Sequence, residues 1–160
     1  MGDWNRTTKE LLLEDLSPQM QQAVQDHQKT YNLGPILNDY TMCIETTHEK
    51  RKKGLFGGGS RRVECTIITP SWLVLLVQSE NKAEATALSV PLKDALVTDY
   101  ADGPGYRLIP DTGLDITGAF TGRVGMEGSQ RISLFIGLGE EPAAQKFKEA
   151  VFQAFEATRK

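Results

Sequence analysis

The strongest constraint in this sequence is a two-residue periodicity that runs, with breaks, from position 40 to position 138 and then gives way to a helical pattern. Successive side chains on a strand point to opposite faces, so such alternation marks strands with one wet face and one dry face. Tyr40, Met42 and Ile44 alternate with Thr41, Cys43 and Glu45 as a first strand, and Val63, Cys65 and Ile67 form a second. Trp72 to Val77 is a continuous apolar run, the pattern of a third and more fully buried strand. Ala87 to Leu92 and Ala95 to Tyr100 read as the fourth and fifth, and Tyr106 to Ile109 as a short strand or an edge. Leu114, Ile116, Gly118 and Phe120 share one face of a sixth; Ile132, Leu134, Ile136 and Leu138 share one face of a seventh. Gly118 and Gly137 interrupt these strands where the chain must bend or another group must come close.

Helical signals flank this β region. Glu140-Glu141-Pro142 opens a last segment in which Phe147, Val151, Ala154 and Phe155 form one apolar face. At the other end, Thr7 with Glu10 matches a capping box, and Ser17-Pro18 supplies an N-cap and a first-turn proline. Leu13, Leu16, Met20, Val24 and Tyr31 recur at helical spacing, and Asn32-Leu33-Gly34-Pro35 stops them. The expectation is two helical pieces, over about 8–16 and 18–31, forming an N-terminal extension at 1–35 ahead of a β domain at 36–160.

A chain of 160 residues can bury a core without staples, and two cysteines, Cys43 and Cys65, imply no disulfide framework. Net charge −3 argues against a dedicated nucleic-acid binder. The start of the chain lacks the apolar stretch of a secretory signal, and the longest apolar run is too short to span a bilayer, so the cytoplasm is the expected location.

Seven short strands followed by one amphipathic helix resemble the order of a pleckstrin-homology-like (PH-like) domain. The local match is Ile68-Thr69-Pro70-Ser71-Trp72-Leu73-Val74-Leu75, a polar insert, and then Ser89-Val90-Pro91-Leu92-Lys93-Asp94-Ala95-Leu96-Val97, which is similar to the bacterial PH and GRAM pattern. The resemblance implies a mainly β (α+β) fold: a seven-stranded antiparallel barrel capped by the C-terminal helix, with the N-terminal helices as an addition. It also implies a module that binds lipid or protein, or serves as a scaffold; neither histidine has a Ser or Cys arranged beside it as nucleophile and no Glu pair stands out, so no catalysis is expected. Members that bind phosphoinositides carry basic residues around the first hairpin loop. Here that loop holds Lys50, Arg51, Lys52, Lys53, Arg61 and Arg62 around Phe56. The adjacent pair Arg61-Arg62 departs from the family's spacing and sends the two side chains to opposite faces.

The expected contact is therefore Lys50, Arg51, Lys52, Lys53, Phe56, Arg61 and Arg62, offered to a protein partner or to an anionic membrane surface. At about 1 kcal/mol per basic residue, six contribute at most roughly 6 kcal/mol toward such a surface. The N-terminal helices are a second candidate contact, for a twin subunit. Other motifs carry less. Gly54 and Gly59 have phosphate-loop spacing, but Ser60 stands where lysine is required. Asp111-Thr112-Gly113 matches the aspartic-hydrolase triplet but lacks a suitably placed second apolar-Gly segment, so a turn is the expected reading. Cys43, Cys65 and His48 do not converge as zinc ligands, and no cofactor or metal site is expected.

Overall fold

The computed structural model describes residues 4–50, 60–80, 82–122 and 129–160. Eight antiparallel strands form one curled half-barrel sheet, and two helices cover it. The strands are β1 (Trp4–Glu10), β2 (Met42–Lys50), β3 (Arg61–Ile68), β4 (Trp72–Ser79), β5 (Thr86–Pro91), β6 (Leu96–Asp99), β7 (Gly113–Thr121) and β8 (Ser129–Gly137). The helices are α1 (Pro18–Thr30), between β1 and β2, and α2 (Pro142–Ala157), after β8. Strands β1 to β5 pair in chain order. β5 and β6 then lie one after the other along one edge of β7, through Ser89↔Thr121 and Leu96↔Thr117, and β8 takes the other edge of β7.

The alternation read from the sequence sorts the core into two layers. Met42, Ile44, Ile68, Leu73, Val90, Leu114, Ile116, Phe120 and Ile136 point into the concave side, where Ala144, Phe147 and Val151 of α2 plug it. Cys43, Cys65, Ile67, Val74 and Leu76 point to the convex side and meet Leu16, Met20 and Val24 of the α1 region. Strand β4 serves both layers, which is why Trp72 to Val77 carries no polar interruption. Burying Phe147 alone contributes about 1.5–3 kcal/mol, enough to hold a helix that is marginal in isolation. At the start of α1, Ser17 Oγ accepts a hydrogen bond from Met20 N and Pro18 occupies the first turn, as the sequence predicts.

Two expectations are corrected. Residues 4–10 form a strand, not the beginning of a helix over 8–16, and only a 3₁₀ turn follows at Leu13–Asp15. The strand pairs along its whole length with β2, from Trp4↔Lys50 to Glu10↔Ile44. The residues that share a face here are Trp4, Arg6, Thr8 and Glu10, mostly polar, so the alternation carries no hydrophobic signal, and the ladder outweighs a short helix's weak propensity. The helical part of the N-terminal region is thus α1, and its apolar stripe is spent on the convex face of its own sheet. Tyr106 to Ile109, expected as a short strand or an edge, instead complete and follow a 3₁₀ turn at Pro104–Arg107, because Gly103, Pro104 and Gly105 set the backbone there.

No ladder joins β8 to β1 among the described residues; side chains bridge the two instead. Gly139 N donates to Thr8 Oγ1 at 2.8 Å, and Thr8 N donates to the Glu141 carboxylate at 3.0 Å. The Arg6 side chain crosses Gly137 so closely that a Cβ there would collide with its guanidinium. Gly118 has the same reason, since a Cβ would press on Val90 at 2.7 Å.

Candidate functional site

The first hairpin is stiff up to its last described residues. The β2–β3 ladder runs to Glu49↔Arg61, and Lys50 N still donates to Ser60 O at 2.9 Å. Arg61 and Arg62 leave opposite faces of β3, as their adjacency requires. Each is met by a carboxylate: Arg61 Nε lies 3.7 Å from Glu49, and Arg62 Nε lies 3.0 Å from Glu64, off the hydrogen-bonding direction. Arg62 also stacks its guanidinium 5.6 Å from the Trp4 ring centre. The stem arginines are therefore compensated locally and do not converge on a common anion cup. Beside Arg61 lies an open cavity of about 310 Å³, lined by Val63, Gln78, Ser79, Glu80 and Lys82. Arg51, Lys52, Lys53 and Phe56 lie outside the described residues.

A second polar cluster, unforeseen from the sequence, starts at the same stem. Glu64 accepts from His48 Nε2 at 3.0 Å, and Arg6 Nε donates to His48 Nδ1 at 3.1 Å. The Nδ1 position is thus an acceptor, and the ring proton sits on Nε2. Arg6 pairs at its far end with Asp111 and lies 5.4 Å from the Phe135 ring centre. Thr8 and Thr46 continue the line, with their hydroxyls 2.9 Å apart. The chain Arg62–Glu64–His48–Arg6–Asp111 draws β3, β2, β1 and the segment before β7 into one network. His48 and Glu64 are buried, so the network fastens the seam of the half-barrel. Asp111 faces a guanidinium here, whereas the hydrolase triplet needs a second carboxylate sharing its proton. Its Oδ1 also accepts from Thr112 N at 2.8 Å, the geometry of a turn.

The remaining titratable groups are structural in their surroundings. His27 Nε2 and Ser89 Oγ lie 2.8 Å apart, but Ser89 is fully buried, so the pair pins α1 to β5. Gly122, at φ +115°, leaves room for that imidazole, and burial lowers the His27 pKa. Cys43 and Cys65 are free and buried in the convex core. Burial, then the nearby Glu45 charge, pushes the Cys43 thiol up to about 12, and burial likewise raises Cys65, so neither is a thiolate. Among the described residues no group of three His, Cys, Asp or Glu side chains could hold a metal ion.

What stands out instead is the convex face over β6, β7 and β8, away from β4 and β5 where α1 packs. Leu96 is 52% exposed on β6, and Phe135 is exposed on β8. Beside them, Leu108 and Ile109 stand 85% and 61% exposed. The segment that carries them is held in place. Leu108 N and Ile109 N both donate to Gly105 O, and the Tyr100 hydroxyl donates to Ile109 O at 2.7 Å. The Tyr100 ring packs 4.8 Å from Phe135 and 6.3 Å from Tyr106, centre to centre. Asp102 and Asp115 lie beside this patch, as do the exposed Arg107 between Tyr106 and Leu108 and the Arg6 guanidinium near Phe135, and partial burial raises the Asp115 pKa.

Comparison with known proteins supplies no relative: no family model, curated protein or solved structure matches the chain.

Proposed function

We propose that this chain is a non-catalytic, PH-like binding module, and that its contact is the Tyr100–Tyr106–Leu108–Ile109–Phe135 patch on the convex face. The partner is a protein that presents apolar side chains within a polar rim. One observation carries the reading: Leu108 and Ile109 are displayed on a segment braced by hydrogen bonds and aromatic packing. Single exposed aliphatics need no explanation, but a braced group of aliphatic and aromatic side chains is the usual core of an interface. With Asp102 and Asp115 beside Arg107 and Arg6, the rim carries both signs, which suits a protein partner better than a uniformly anionic lipid surface. The first hairpin, the contact expected from the sequence, ranks second because Arg61 and Arg62 already face carboxylates.

Selection from a displayed random-peptide library tests this reading. Enriched peptides should be rich in apolar residues, and their binding should fall at least tenfold in a Leu108→Asp, Ile109→Asp double variant. Binding to phosphatidylserine vesicles that is lost on Lys50→Glu with Arg61→Glu, with no peptide selected, would move the contact to the hairpin and overturn the proposal.

A further inference from the structure

The register of β8 assigns its backbone groups. Pairs between β7 and β8 run from Gly113↔Gly137 to Thr121↔Ser129, and Leu138 N donates to Thr112 O at 3.0 Å in continuation of that register. Hydrogen-bonded pairs alternate along an antiparallel ladder. Even-numbered residues of β8 therefore bond to β7, and Arg131, Ser133 and Phe135 aim their N–H and C=O groups at the opposite edge. Thr117 and Ser133 agree with this phase: they occupy a non-hydrogen-bonded pair, where side chains come closest, and their hydroxyls lie 2.7 Å apart.

Arg6 lies over the Gly137 end of β8, on the side where a Cβ would point. Among the described residues no strand pairs with that opposite edge. Strand β8 is nine residues long, with no proline and one charged residue, Arg131, so it lacks most of the devices that blunt an edge. On the concave side, Ile132 and Leu134 are only partly buried against the core. A strand added here would need apolar residues at alternate positions to complete that layer.

The pattern of β8 itself meets that need. We propose that the β8 edge pairs antiparallel with the same edge of a second copy, about a two-fold axis through Ser133. This register sets Ile132 opposite Leu134 of the second copy on the concave side. On the convex side it sets cationic Arg131 opposite the Phe135 ring, in both halves of the pair. A register centred on Arg131 would instead oppose two like charges. The two-fold also satisfies the outward backbone groups of both copies at once.

Charge at the axis tests the pairing without touching the core, because Ser133 is exposed. Sedimentation of the full chain should show a concentration-dependent dimer. Ser133→Lys and Ser133→Asp should each weaken it at least tenfold, and an equimolar mixture of the two should restore a heterodimer. Hydrogen exchange should report protection of the Arg131, Ser133 and Phe135 amides that fades on dilution. A wild-type chain that stays monomeric up to its solubility limit would overturn the proposal, as would a dimer indifferent to both substitutions. Circular dichroism of each variant separates loss of pairing from loss of fold.

Discussion

The half of the sheet from β2 to β5 and the half from β6 to β8 have the same concave core but different outer faces. Over β2–β5 the outer face is dry: Cys43, Cys65, Ile67, Val74 and Leu76 lie under α1. Over β6–β8 it carries Asp115, Thr117, Arg131, Ser133 and Phe135, and among the described residues only the 3₁₀ turn with Tyr100, and no α-helix, packs closely across it. One sheet thus contains two kinds of strand. A doubly covered strand answers to packing on both sides, whereas a singly covered one leaves half its side chains open to selection for contact.

The largest test of that contrast is Leu76→Ala, which should cost about 2–5 kcal/mol in denaturant unfolding because it empties space between β4 and α1. A cost below about 1 kcal/mol would mean that α1 is only loosely laid on the sheet. Next is Gly137→Ala, expected to cost about 1–3 kcal/mol because its methyl group collides with Arg6. Adding Arg6→Ala should recover part of that loss, giving a non-additive double-mutant cycle.

A pH dependence comes third, and it belongs to the doubly covered half. Burial lowers the His27 pKa below its ordinary value of 6.5, so the unfolded chain binds this proton more readily than the native one. The stability this group contributes is present above pH 6.5 and is lost as the pH falls through the lower native value. Unfolding titrations below pH 6.5 should therefore show a slope that His27→Gln reduces, and an unchanged slope would assign the effect elsewhere. The smallest expected change is Leu108→Ser, within about 0.5 kcal/mol of wild type in stability. A larger loss would mean that this side chain supports the fold rather than a contact.

The same contrast explains what could be read from the residues alone. Strands β7 and β8 announce themselves because polar and apolar positions alternate, and β4 because they do not. The Ser17-Pro18 start of α1 and the phenylalanine face of α2 are local signals, and local signals survive without tertiary context. Strand β1 stayed hidden because Arg6 and Thr8 are made buriable by His48, Asp111, Thr46 and Gly139, groups 38 to 131 positions away. The basic hairpin was visible as composition, but the carboxylates that answer Arg61 and Arg62 are a property of register. The displayed Leu108 and Ile109 resembled a strand, and only the Gly103-Pro104-Gly105 turn makes them a surface.

The seam also sets an order of events during synthesis. Strand β1 precedes its ladder partner β2 by the whole of α1. Its closing contacts, Asp111 with Arg6 and Glu141 with Thr8, lie 105 and 133 residues downstream. Ring closures that long are entropically late, so β1 can pair with β2 first, while its seam contacts form only once Asp111 and Glu141 are in place. A chain cut before residue 139 should keep the β1–β2 ladder but leave β1 more accessible to protease than in the 160-residue chain.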